Sequence, residues 1–233
     1  MGNLPVYLEI GQKRTFAGAL EWPGWNRGGR SEAEALATLS AYGSRYRRVV
    51  RRVGLEFEIP ATMPVFSVVE RLAGGSGTDF GAPEAIPGAD REPIGTGDLA
   101  RFGAILTACW EAFDDAAAAA VGLELRKGPR GGGRELEGIT RHVLEAEQGY
   151  LSRLAWKVPR REAAILNEEM RLTRQAIMDA LAAAERGEMP ERGPRGGIIW
   201  PARYFVRRVA WHVLDHAWEI EDRAQPLVIS EDL

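Results

Sequence analysis

Beyond residue 98 the chain is committed to helices, and this limits its fold more than any other feature. Leu99, Phe102, Leu106, Cys109 and Phe113 recur at helical spacing on one face. Leu136, Ile139, Val143, Ala146, Tyr150 and Leu154 do the same on a second segment. A third, about 161–185, carries Leu166, Met170, Ile177 and Leu181, and a fourth, about 199–223, aligns Phe205, Val209, His212, His216 and Glu219. Glycine and proline break the pattern at 128–133, at Pro159 and across 187–197. Four long amphipathic segments with such breaks predict an antiparallel four-helix bundle over 97–233.

The first part of the chain, 1–73, reads differently. Short apolar or β-branched runs at 6–10 and 15–20 flank Gly11-Gln12-Lys13, a hairpin turn. Trp22-Pro23-Gly24-Trp25 cannot be helical and predicts a rigid turn. Ser31 and Glu34 then make a capping-box pattern, followed by Leu36, Leu39, Tyr42, Tyr46, Val49 and Val53 at helical spacing. Residues 65–72 predict a further strand, and 55–59 another. From 74 to 96 glycine and proline are dense and no periodicity survives, the signature of a linker. The fold class expected is therefore α+β: a small α/β domain, a linker, then a helical bundle.

Composition excludes several functions. A hydrophobic share of 45% with 27% charged residues supports a buried core, and a net charge of -3 gives no general reason for a nucleic-acid or anionic-membrane partner. No apolar run approaches bilayer length, and Met1-Gly2-Asn3-Leu4-Pro5 has no basic-then-apolar signal pattern. The single cysteine, Cys109, permits no intrachain disulfide. The expectation is a soluble cytoplasmic protein acting on a small molecule.

The chain has only three histidines, and all lie on bundle segments. His212 and His216 are four residues apart, which puts both imidazoles on one helix face about a turn apart. His142 lies on another helix, among the small residues Gly138, Ala146 and Gly149. Three imidazoles make a metal site with an open fourth position. Zinc is the first expectation; nickel or iron(II) would also accept imidazole. Glu219 follows His216, and Glu145 follows His142, each by three residues. Either carboxylate is a candidate fourth ligand, an acceptor for a ring N–H, a general base, or a solvated helix residue. Asp215 is a weaker candidate acceptor beside His212. A two-metal carboxylate bundle would need glutamates where Ile139, Val209 and Val213 stand, which favours a single metal.

The stretches Thr140-Arg141-His142-Val143-Leu144-Glu145-Ala146-Glu147 and Trp211-His212-Val213-Leu214-Asp215-His216-Ala217-Trp218-Glu219 resemble the DinB-like (YfiT-like) superfamily over roughly 97–225. The resemblance implies an up-down-down-up bundle, often dimeric, holding zinc, nickel or another divalent ion through His142, His212 and His216. It also implies kinship with thiol S-transferases that use mycothiol or bacillithiol, and with mycothiol-dependent maleylpyruvate isomerase. Phe16-Ala17-Gly18-Ala19-Leu20, Trp22-Pro23-Gly24 and the helix opening at Ser31 more loosely resemble the HicB-like antitoxin fold.

Arg207 and Arg208 are candidate contacts for an anionic cofactor group such as a thiol cofactor's carboxylate, as is the loop Arg195-Gly196-Gly197 before the fourth helix. Arg45, Arg47, Arg48, Arg51 and Arg52 form a basic helix end. It reads better as charge at a helix C-terminus than as a nucleic-acid patch, because only Tyr46 interleaves. Cys109 reads as a small core residue, and Trp110, Trp211 and Trp218 as core or pocket wall. The expected function is a divalent-metal-dependent transferase of a low-molecular-weight thiol. A metal hydrolase and a non-enzymatic metal-stabilised binding protein are the alternatives.

Overall fold

The computed structural model describes residues 4–57, 66–127, 133–158, 165–193 and 196–224. The hairpin forms as expected: β1 (Leu4–Ile10) and β2 (Thr15–Ala19) pair antiparallel, and the turn closes through Gly11 N–H to the Arg14 carbonyl at 2.8 Å. β4 (Phe66–Ala73) lies parallel to β1 on the other side, and with β3 (Asn26–Gly29) the sheet order is β3-β2-β1-β4. A parallel neighbour needs a crossover. Here α1 (Glu32–Ala41) and α2 (Gly43–Arg51) lie between β3 and β4 in the chain.

β3 (Asn26–Gly29) pairs with β2 and has no counterpart in the sequence reading. Asn-Arg-Gly-Gly has little intrinsic strand preference. Its glycines are there for close approach: a Cβ on Gly29 would lie 2.4 Å from the Ala35 backbone nitrogen. The single helix expected after Ser31 is two helices that meet at Tyr42, next to Gly43, a poor helix former. Ser31 Oγ does accept from Glu34 N–H at 3.2 Å, while the Glu34 carboxylate reaches back to Arg30 N–H rather than to Ser31. The described part of the strand expected at 55–59, residues 55–57, is not strand; residues 58 and 59 lie outside the described residues.

The segment expected as a linker is built into the fold. It carries α3 (Ser76–Phe80) and a 3-10 turn, Gly88–Arg91. The buried Glu9 carboxylate accepts from Thr78 Oγ1 and Glu84 N–H, Asp79 accepts from Lys13 and Arg14 N–H, and Glu70 accepts from Gly88 N–H. The glycines let this backbone run tightly across the sheet: Gly74 N–H meets the Ile10 carbonyl at 2.8 Å, and Gly81 has φ +116.

Four long helices follow: α4 (Thr96–Ala119), α5 (Leu136–Arg153), α6 (Leu166–Glu185) and α7 (Ala202–Ala224). Contacts at their ends fix their directions. The start of α4 meets the end of α6 through Thr96 and Glu185, and the start of α7 through Asp98 and Arg203. The end of α5 meets the approach to α7 through the Arg153 carbonyl and Trp200 N–H. The order is therefore up, down, down, up. The alternation expected from the helix breaks alone gives way to a parallel α5–α6 pair, touching at Gln148 and Thr173. No helix among the described residues is long and apolar enough to cross a membrane.

Candidate metal centre

α5 supplies His142 and α7 supplies His212 and His216, and one ligand atom from each lies within 4.8 Å of the others. The apolar stripes set this meeting. Ile139, Val143 and Leu151 bury one face of α5, and Phe205, Val209 and Val213 anchor α7, so the histidines arrive at the seam. His142 Nε2 and His212 Nε2 are 3.3 Å apart. Two nitrogens held tetrahedrally at about 2.0–2.1 Å from one zinc ion would be about 3.3 Å apart. The three ring centroids are separated by 5.1, 4.9 and 4.6 Å.

Glu219 fixes the third ring. Its carboxylate lies 2.7 Å from His216 Nδ1 and accepts from Arg223 Nη1 at 2.7 Å. The hydrogen bond from His216, with Arg223 beside it, holds the Glu219 carboxyl below its ordinary range. An ionised carboxylate only accepts, so Nδ1 donates to Glu219 and Nε2 is the ring nitrogen turned away from it. Arg223 is itself held by the Arg126 carbonyl, 2.6 Å from its Nε. Such support on the far ring nitrogen is the usual companion of a metal-binding histidine. Burial, with the other histidines next, pushes His212 well below the ordinary imidazole range, and pushes His142 down too. Both shifts favour the uncharged imidazole, the form that binds a metal. These residues fit a metal ion through three imidazole nitrogens, with the partly exposed His142 and His216 leaving an approach.

The other predicted site residues fall in different places. Glu219 is committed to His216 and Arg223. Glu145 is exposed on α5 and raises the His142 pKa by its charge, but does not join the histidine cluster. Asp215 turns to Arg27, 2.7 Å away, and not to His212. Arg207 is buried, with Nε and Nη2 on the two oxygens of Asp90 at 2.6 and 2.8 Å and its other contacts on the Ala19 and Leu20 carbonyls. It ties α7 to the sheet and offers nothing to a cofactor. Arg208, next in sequence, lies on the histidine side: it donates to the Pro83 carbonyl and to Tyr150 Oη, and Tyr150 stands beside His212 with ring centroids 5.8 Å apart. Arg195 lies outside the described residues. Of the basic helix end, Arg45 pairs with Glu221 and Asp222, and Arg52 pairs with Asp115. Cys109 is fully buried and burial pushes its thiol up, as suits a core residue.

Sequence reasoning missed Arg223 and Tyr150. Arg223 was signalled by its position one turn after Glu219, where a cation pairs with a carboxylate. Tyr150 was assigned to the apolar stripe, and only its hydroxyl's contact with Arg208 reveals its place.

The chain matches no family model, no curated protein and no solved structure. The geometry above therefore carries the functional argument.

Proposed function

We propose that this chain is a divalent-metal-dependent enzyme of the DinB-like kind, transferring a low-molecular-weight thiol to a small electrophile. The convergence of His142, His212 and His216 at a tetrahedral spacing carries the reading. The up-down-down-up order of α4–α7, with one histidine on the second helix and two on the fourth, supports the resemblance drawn from sequence. Zinc is the first expectation for the ion, with nickel and iron(II) as rivals. When bound, such an ion supplies a positive charge that lowers the pKa of a coordinated thiol or water.

The chain's own residues do the rest. Glu219 holds the proton of His216 at Nδ1 and keeps that ring turned to the cluster. The His216 hydrogen bond, with Arg223 beside it, holds the Glu219 carboxyl below its ordinary range, so Glu219 serves as an orienting group and not as a mobile base. Glu145, exposed on the His142 side, is the carboxylate free to take a proton from an incoming thiol or water. Metal hydrolysis uses the same residues and is separated from thiol transfer by whether turnover needs added thiol.

Elemental analysis of protein purified without a histidine tag should find about one equivalent of a divalent metal. The His212→Ala, His216→Ala variant should have lost it. A metal-free parent that takes up neither zinc, nickel nor iron(II) would sink the reading. Metal-loaded protein should then consume mycothiol, bacillithiol or glutathione in the presence of an electrophile.

A further inference from the structure

Three buried side-chain nitrogens beside the histidine cluster have no hydrogen-bond partner among the described residues: Arg208 Nε, Trp211 Nε1 and His212 Nδ1. They belong to one patch of α7. The Arg208 guanidinium lies 4.9 Å from the Trp211 ring and 5.2 Å from the Tyr150 ring, and the Trp211 and His212 rings are 6.0 Å apart. His212 Nδ1 carries the proton if Nε2 faces His142 as an acceptor or a ligand. A buried donor without an acceptor costs about 1–3 kcal/mol, more when charged, and three at one place call for an explanation.

We propose that Arg208, Trp211 and His212 form an oxyanion subsite beside the metal centre, and that the small molecule handled there carries a carboxylate. The choice of carboxylate follows from charge. Arg208 spends Nη1 on the Pro83 carbonyl and Nη2 on Tyr150 Oη. One guanidinium charge with three single N–H donors matches a planar monoanion, whereas a phosphate dianion would ask for a second cation. The three nitrogens are covered, so the carboxylate enters by displacing Tyr150 Oη from Arg208 Nη2, a 3.1 Å bond on the partly exposed side. Displacement frees a fourth donor in the same guanidinium plane. The subsite rests on the proposed metal site for its substrate, yet its three donor nitrogens are not the atoms that face the ion and can be tested apart from it.

The test is a titration of the metal-free protein with sodium acetate, against sodium chloride and inorganic phosphate at equal ionic strength. The readout is the indole N–H proton resonance of Trp211, identified by its loss in Trp211→Phe. Acetate should move that resonance downfield and saturably, and chloride and phosphate should not. Arg208→Met should weaken acetate roughly tenfold or more, and Arg208→Lys, which keeps the charge without Nε, by nearly as much. Tyr150→Phe should tighten acetate several-fold, because Nη2 no longer has to be freed; a purely structural Tyr150 would weaken it. An indole signal indifferent to acetate, or equally responsive to phosphate, overturns the proposal. Zinc uptake measured on the same samples reports on the metal reading separately, so either can fail while the other stands.

Discussion

Glu147 faces Trp110 and Arg174 with half of its carboxyl group unpartnered. Oε1 accepts from Trp110 Nε1 at 2.6 Å, and Oε2 has no partner among the described residues. Burial pushes this carboxyl up from its ordinary 4.5 to about 7, against the opposing pull of Arg174 and of the Trp110 N–H. A raised carboxyl pKa means that the folded chain holds the proton more tightly than the unfolded chain. The contribution to stability is thus complete below about pH 4.5 and is lost as pH rises through about 7. Glu147→Gln keeps an acceptor for Trp110 and removes the titration. Its melting temperature should match that of the parent at or below about pH 4.5 and exceed it above pH 8, by the equivalent of about 1–3 kcal/mol. Melts that stay parallel across pH would show that Glu147 is not buried as described. The residue was legible as an anomaly: a carboxylate one turn from both Val143 and Leu151, on the buried stripe of α5. Sequence alone could not say whether that position faced Trp110 or the histidines, because that depends on which helix α5 meets on each side.

The elements are held together by two devices that a sequence pattern shows poorly. One is the passage of β3 beneath α1. Gly29→Ala would drive a methyl group to 2.4 Å from the Ala35 backbone nitrogen, which no side-chain motion relieves. The variant should lose about 1–3 kcal/mol in denaturant midpoint analysis. A neutral result would mean that β3 can slide. The other is the buried Arg207–Asp90 pair, which joins α7 to the 3-10 turn and, through the Ala19 and Leu20 carbonyls, to the end of β2. Asp90→Ala leaves a buried guanidinium charge uncompensated and should cost about 3–5 kcal/mol. In the Arg207→Met background the same change should cost far less, and equal costs in both backgrounds would disprove the coupling. These devices explain what the sequence disclosed and what it hid. Long periodic helices, the hairpin at Gly11 and the seam histidines follow from spacing, which is local. β3 and the packed course of 74–96 follow from tertiary contacts made by glycine, proline and single polar residues, which carry no period. Arg207 and Arg208 are adjacent in sequence, but about 100° apart around α7. Both were read as anion contacts; only the sheet packed on one side of α7 separates a structural guanidinium from an available one.

At the scale of the whole molecule, the α/β part and the helices share one continuous core, which runs from Val6, Trp25 and Tyr46 to Phe102, Val209 and Trp218. The junction is dense and varied. Trp218 meets Tyr42 with ring centroids 5.1 Å apart, Arg27 lies 4.2 Å from both rings while pairing with Asp215, and Phe16 meets Trp211 edge-on at 6.2 Å. The Trp22–Trp25 turn presses the same helix: Gly24, at φ +94, sits so close that a Cβ would fall 3.1 Å from Leu214 and 3.2 Å from Ala210. All of these contacts except Arg27 over Tyr42 land on α7, the helix that carries His212 and His216. The sheet therefore acts as a clamp on the helix that carries two of the three clustered histidines, and losing it would expose Trp211, Trp218 and Arg207 along one side. Two independent domains would open separately; a shared core predicts that they open together. Hydrogen exchange should report the same opening free energy for the slowest amides of β1 and of α7, and Trp218→Ala should lower both by the same amount, about 3–5 kcal/mol. If the α7 amides kept their protection while those of β1 lost theirs, the sheet would be an appendage, and the histidine geometry would have to be maintained by α4 and α5 alone.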